Sequence, residues 1–139
     1  MQNYLFDTRD PEVPKALTLH PIWAWAVVTG LKTIENRTWN TRYRGRLLIH
    51  AAAHQPDEEK IRQWFQLRWR RHIIVPQDIP RGAIVGAVDV LDVVPFTMSF
   101  RVEHWDNPFA TGPFCWMLAN ATRDETPTPA RGKQGLWRP

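Results

Sequence analysis

The chain is poor in the residues that build cross-linked or metal-held scaffolds. Its 139 residues include one cysteine, Cys115, which excludes a disulfide within the chain and any thiolate cluster around a metal. The apolar neighbours Phe114 and Trp116 point to a buried thiol rather than a nucleophile. Serine is equally scarce, since Ser99 stands alone and lacks the flanking glycines of a hydrolase elbow. His50 and His54 are four apart, but His50 falls at a strand end, so the pair shares no helical face and no metal is expected. No glycine-rich phosphate loop is present, which sets aside nucleotide-hydrolysing folds and leaves no cofactor to expect. No apolar run approaches the roughly 18 residues of a membrane helix, and residues 1–10 are too polar for a signal peptide. The expectation is a cytoplasmic protein with no membrane partner, in which the sequons Asn36-Arg37-Thr38 and Asn120-Ala121-Thr122 occur by chance.

Arginine and tryptophan are what the chain has in abundance. The net charge is +4, and 14 of the 18 basic residues are arginine, whose planar fork pairs with phosphate and stacks on bases. A polyanionic partner follows from that bias. Eight tryptophans within a hydrophobic fraction of 43% describe one packed globular domain, with more indoles than its core needs. Some should therefore present a flat surface to a ligand.

Local patterns give an order of elements. Residues 1–14, with Pro11 and Pro14, read as an extended arm, and residues 15–139 as a single domain. Residues 15–19 alternate as a first strand. Pro21 suits a first helical position, and residues 22–29 form a helix apolar on nearly every side, closed by Gly30. Such a helix must lie between other layers. A strand then runs from Lys32 to Arg37, followed by the basic hairpin region of residues 42–46 and a core strand over residues 47–51. A second helix opens at Pro56 with acids in its first turn, carries Ile61, Trp64, Phe65 and Trp69 at helical spacing, and closes with Arg68, Arg70 and Arg71. Residues 83–94 give one long strand or two joined by a bend, with Gly86 at a bulge. Residues 96–111 read as irregular with a short helix, and residues 114–118 as another core strand. Residues 122–129 read as a proline-marked connection before an anchoring Trp137. Five or six short strands and two or three helices, without strand–helix alternation, make a mostly antiparallel α+β barrel with helices packed on it.

The densest chemistry lies in Gly30-Leu31-Lys32-Thr33-Ile34-Glu35-Asn36-Arg37. On a strand, Thr33, Glu35, Arg37 and Trp39 line one face. Lys32 has the wrong parity unless the turn at Gly30 re-aims it. As a binding site, Lys32 and Arg37 would hold phosphate, while Trp23, Trp25 or Trp39 would stack a base. Glu35 would accept from an amine or hydroxyl, and Arg42, Arg44 and Arg46 would form a basic rim. As a catalytic site, Lys32 would act as a base or steady a developing negative charge, and Glu35 would move protons. The alternative is an ion pair that only pins the strand to the helix end.

Beyond this signature, Leu19-His20-Pro21-Ile22-Trp23-Ala24-Trp25, Tyr43-Arg44-Gly45-Arg46-Leu47-Leu48-Ile49-His50-Ala51, Gly82-Ala83-Ile84-Val85-Gly86, Cys115-Trp116-Met117-Leu118 and Gly132-Lys133-Gln134-Gly135-Leu136-Trp137 occur in order. Together they resemble the ASCH domain, the activating-signal-cointegrator homology family, from about Lys15 to the C-terminus. The resemblance implies a β-barrel related to the PUA fold, a cleft holding the signature, and RNA or DNA as partner. Relatives include proteins described as ribonucleases and a branch that hydrolyses N4-acetylcytidine with a lysine, a threonine three residues on, and a glutamate. Here Lys32 matches that lysine, Glu35 stands where the threonine would be, and Glu103 is the candidate for the remaining acid. A module that docks a protein partner is a third expectation.

Overall fold

Six strands pair into one curled sheet around a helix that has almost no polar side chain. The computed structural model describes residues 14–68 and 73–139. In chain order the elements are β1 (Lys15–Leu19), α1 (Pro21–Val28), β2 (Ile34–Arg37), β3 (Gly45–Ala51), α2 (Glu58–Arg68), β4 (Ala83–Pro95), α3 (Met98–Glu103), β5 (Phe114–Pro129) and β6 (Leu136–Trp137). The strand order is β2-β5-β4-β3-β1-β6. Only β1 and β3 run parallel, and a parallel pair needs the crossover that α1 and β2 supply. The edges β2 and β6 do not pair with each other. The sheet nevertheless curls until Arg37 and Trp39, at the β2 end, line one hollow with Gln134 and Gly135 just before β6. The result is a half-barrel rather than a closed ladder.

The sequence of α1 dictates its position. Its residues Pro-Ile-Trp-Ala-Trp-Ala-Val-Val offer no polar face, so both sides must be covered. Ala24, Val27 and Val28 pack into the concave sheet against Leu17, Leu47, Val88 and Trp116. Ile22 and Ala26 pack the other way, against Phe65, Val75, Ile79 and Phe109. At its start the side chain of His20 makes no capping bond; instead the Gln55 side chain accepts from the Ile22 amide at 2.8 Å, satisfying a donor that a helix start leaves open. At its end Gly30 takes φ +82°, and the Lys32 amide bonds back to the Ala26 carbonyl at 2.8 Å.

Gly86 lets α1 come this close. A Cβ there would lie 2.1 Å from the Thr122 carbonyl oxygen and 2.9 Å from Val28 Cγ1, so neither β5 nor the helix can give way cheaply. Gly86→Ala should cost about 1–3 kcal/mol, the usual range for overpacking, and a urea midpoint unchanged from wild type would contradict the close approach.

Several expectations need revision. Residues 122–129 are not a connection: β5 continues to Pro129 and pairs with β4 through Thr122↔Ala87, Arg123↔Gly86 and Thr128↔Ile84. Its prolines are tolerated because β2 flanks only the first part of β5, over residues 114–117; beyond that β5 is an edge, where a missing N–H costs nothing. The second helix begins at Glu58 rather than Pro56. Trp69, Arg70 and Arg71 lie outside the described residues, as does the arm except for Pro14. In α2, Glu58 holds Arg62 at 2.8 Å and Arg81 at 2.9 Å, and these hydrogen bonds keep its carboxyl below the usual glutamate range. Arg62 in turn donates to the carbonyls of Val75 and Pro76, tying the loop after α2 to the helix. Cys115 is buried as its flanks foretold, and burial pushes its thiol up from the ordinary value.

Candidate nucleic-acid interface

The turn at Gly30 does re-aim Lys32. Its side chain enters the fold beside β2, where Nζ meets Glu35 Oε1 at 2.5 Å. The other carboxylate oxygen, Oε2, accepts from Arg37 NH1 at 3.2 Å, and the Arg37 guanidinium lies 5.7 Å from the centroid of Trp39. Strand parity thus brings Glu35, Arg37 and Trp39 together as expected. Thr33 is exposed and contributes only its carbonyl, to the Leu118 amide. One carboxylate between two cations leaves the triad with a net positive charge. Lys32 and Glu35 are 4% and 8% exposed, whereas the Arg37 side chain is 24% exposed, so that charge reaches solvent through Arg37.

Three hollows run together along this triad. The first, of about 360 Å³, is lined by Trp23, Lys32, Glu35, Asn36, Trp64 and Phe109. The second, of about 230 Å³, shares Trp23 and Glu35 with it and adds Thr18, Leu19 and Arg37. The third, of about 640 Å³, shares Thr18 and Arg37 with the second and extends past Trp39 and His50 to Lys133. They form one groove, aromatic at one end and basic at the other.

Three residues of the aromatic end were not singled out for the site from the sequence. Trp64 arrives from α2, its ring 6.0 Å from that of Trp23 at 70°. Phe109 arrives from the segment after α3, and both it and Trp23 lie about 6 Å from Lys32 Nζ, at 5.9 and 6.0 Å. Asn36 points away from its strand neighbours: its Nδ2 donates to the Phe109 carbonyl at 2.6 Å, while its Oδ1 accepts from the amides of Thr111 and Gly112. One half-buried side-chain amide therefore fixes the loop that carries Phe109. Its place between Glu35 and Arg37, on the opposite strand face, was the available signal.

Other expected site residues lie elsewhere. Trp25 packs edge-on to Phe65 and lines a separate hollow with Ile79, Pro80 and Pro127, because residues two apart on a helix diverge by about 200°. Arg44 pairs with Asp92 at 3.2 Å. Arg46 is spent on Asp89, the Asn120 carbonyl and Thr122 Oγ1. These two staple β3 to β4 and β5 and line none of the three hollows. Arg42 is exposed and lines none of them either. Glu103 sits on α3, paired with His104 and with its side chain 75% exposed, away from Lys32. Among the described residues no group of histidine, cysteine or acidic side chains is arranged to hold a metal.

A curled six-stranded sheet with an apolar helix in its concavity is the fold of ASCH-type domains. The chain belongs to the ASCH domain family, whose model matches residues 17–127. It is 29% identical over 126 residues to human activating signal cointegrator 1 and 27% identical to the mouse protein. In both cases the match covers 88% of this chain and 22% of the relative, so the chain spans about a fifth of the length of those relatives. Among solved structures, a tyrosine-to-phenylalanine variant of an ASCH protein from Zymomonas mobilis superposes with a TM-score of 0.52 at 14% identity, covering 85% of this chain and 76% of that one. A serine-to-alanine variant of the same protein gives 0.53 at 14% identity, covering 84% and 73%. These two likenesses establish the fold. Among the described residues no helix is long and apolar enough to cross a membrane.

Proposed function

We propose that this domain binds single-stranded or structured RNA in the groove along β2, with Lys32, Glu35 and Arg37 at its centre. The observation that carries the reading is a net-positive triad walled by aromatic rings: Trp23, Trp64 and Phe109 on one side and Trp39 on the other. An unstacked base lies against the accessible part of the Trp23 and Trp64 rings, while its backbone pairs with the exposed part of Arg37. Lys32 is engaged by Glu35 and serves to fix the carboxylate rather than to grip phosphate. The ASCH resemblance agrees with such a partner.

Anisotropy of a labelled single-stranded RNA against rising salt tests this. Affinity should fall steeply with salt, and Arg37→Ala should weaken binding of all sequences and reduce the salt slope by about 1. Trp64→Ala should remove about 1–3 kcal/mol, the worth of one base stack. Salt-independent binding, or an Arg37→Ala protein that binds as wild type, would reject the reading.

A hydrolytic role rests on one further observation: the 2.5 Å contact of Lys32 and Glu35 lines the hollow proposed to take a base, so an acid and a base adjoin it. Denaturing gels of the same mixtures in chelator decide the matter. Shortened RNA that disappears with a folded Lys32→Met protein would make the domain a metal-independent nuclease, and intact RNA leaves it a binding module.

A further inference from the structure

The basic end of the groove holds residues that the triad does not use. Its outer wall is a strap, residues 130–135, that leads into β6. The strap is anchored at both ends by side chains of the sheet. His50 Nε2 donates to the Ala130 carbonyl at 2.6 Å, and the Ala130 amide bonds to the Gly82 carbonyl at 3.1 Å. At the far end Trp137 Nε1 donates to Thr18 Oγ1 at 3.0 Å, and its ring stands edge-on to His50 with centroids 5.4 Å apart. Between these anchors Gly132 is pressed onto the sheet so closely that a Cβ would lie 2.7 Å from Thr18 Oγ1 and 2.8 Å from His50 Nδ1.

The anchors hold the strap without any help from Lys133 or Gln134. Both are exposed, yet both line the hollow of about 640 Å³ together with Arg37 and Trp39. Arg37 and Lys133 line it, and no carboxylate does. Among the described residues Lys133 has no ion pair, whereas Arg44, Arg46, Arg62 and Arg81 are each matched to an acid. Arg37 commits NH1 to Glu35 and keeps its remaining donors for the groove. The backbone amides of Gly132, Lys133 and Gln134 also make no hydrogen bond to another described residue. Two cations of different reach around one hollow, with free backbone donors beside one of them, supply the donors that a tetrahedral oxyanion takes.

We infer that the strap and Arg37 form a phosphate subsite, in which Lys133 and the strap amides face Arg37 across the anion. The inference rests on the RNA-binding reading for its ligand: the phosphate is the one that follows a base seated among Trp23, Trp64 and Phe109, and the strand leaves the groove over β1 and β6. Gly132 is what lets the strap lie this low, since a Cβ there would meet Thr18 and His50.

The experiment pairs two probes on the intact protein. One is a labelled single-stranded RNA, read by anisotropy; the other is inorganic pyrophosphate, read by the amide resonances of residues 132–134. Lys133→Ala, an exposed change that leaves the melting temperature in place, should weaken RNA about tenfold, and Lys133→Arg should restore most of it. Gly132→Ala should act in the same direction by lifting the strap. Arg101→Ala, on α3, controls for simple loss of charge and should leave RNA affinity unchanged. RNA binding with unmoved strap resonances and a wild-type affinity for Lys133→Ala would overturn the subsite and leave the RNA reading standing. Strap resonances that move with pyrophosphate while RNA fails to bind would uphold the subsite and overturn the RNA reading. Silence from both probes would reject both.

Discussion

Glu35→Ala is expected to cost about 3–5 kcal/mol of folding stability, because it strands a buried ammonium. Lys32 is 4% exposed and has Glu35 as its only carboxylate partner among the described residues. The rings of Trp23 and Phe109, each about 6 Å from Nζ, soften the loss but do not replace a counter-ion. Arg37 behaves differently, since its exposed portion can turn to water when Glu35 goes. The asymmetry yields a second-order test. A Lys32→Met, Glu35→Leu double variant removes both buried charges together and should recover most of the lost stability, as such replacements are often neutral or better. It should nevertheless bind RNA more weakly, because Arg37 then loses the partner that aims it. A urea titration that finds Glu35→Ala within about 1 kcal/mol of wild type would show that the ammonium finds water, and would count against a dry inner end of the groove.

Phe65→Ala should be comparably severe for a different reason. Phe65 is 0% exposed and touches four other rings: Trp23 at 5.7 Å, Trp25 at 5.9 Å, Trp64 at 5.1 Å and Phe109 at 6.1 Å. Deleting a buried phenyl ring costs about 3–5 kcal/mol through lost transfer energy and the cavity left behind. Here the cavity opens directly beneath the aromatic end of the groove. Trp23, Trp64 and Phe109 lose the ring that spaces them, so base stacking should weaken together with the melting temperature. Phe65→Leu separates the two effects, since it refills most of the volume without a flat face. It should recover stability more fully than affinity. Equal recovery of both would mean that Phe65 acts only as filler.

How much of this was legible in the sequence depends on how far each contact reaches along the chain. The alternation that sets Glu35, Arg37 and Trp39 on one face is a property of consecutive residues, as is the glycine turn that brings Lys32 beside them. The first could be read directly, and the second only as a condition on the turn at Gly30. Trp23 and Trp25 flank the same Phe65 ring, yet Trp25 opens onto a different hollow, a divergence that the turn of about 200° between residues two apart on a helix already contains. Arg44 and Arg46 look like a free basic rim until β3 is set in register with β4, where Arg46 falls opposite Asp89; cross-strand pairing of this kind is invisible before register is known. Trp64 and Phe109 lie far from the signature in sequence, and tertiary packing alone brings them to Lys32. The long second half of β5 was hidden by its own prolines, which read as breakers until the strand is known to run along an edge.

The pairing of β6 with β1 also has a consequence in time. Thr18 and Trp137 are 119 residues apart, and β6 joins the sheet through β1 at its edge. Contacts of such separation close late, since the loop entropy between them is spent before any reward arrives. The aromatic end of the groove should thus mature with the central sheet, while its basic wall arrives in the final step of folding. In stopped-flow refolding, fluorescence from the Trp23 cluster should recover before the Thr18–Trp137 contact locks, so that for a brief interval the molecule possesses a place for a base and none for the phosphate beside it.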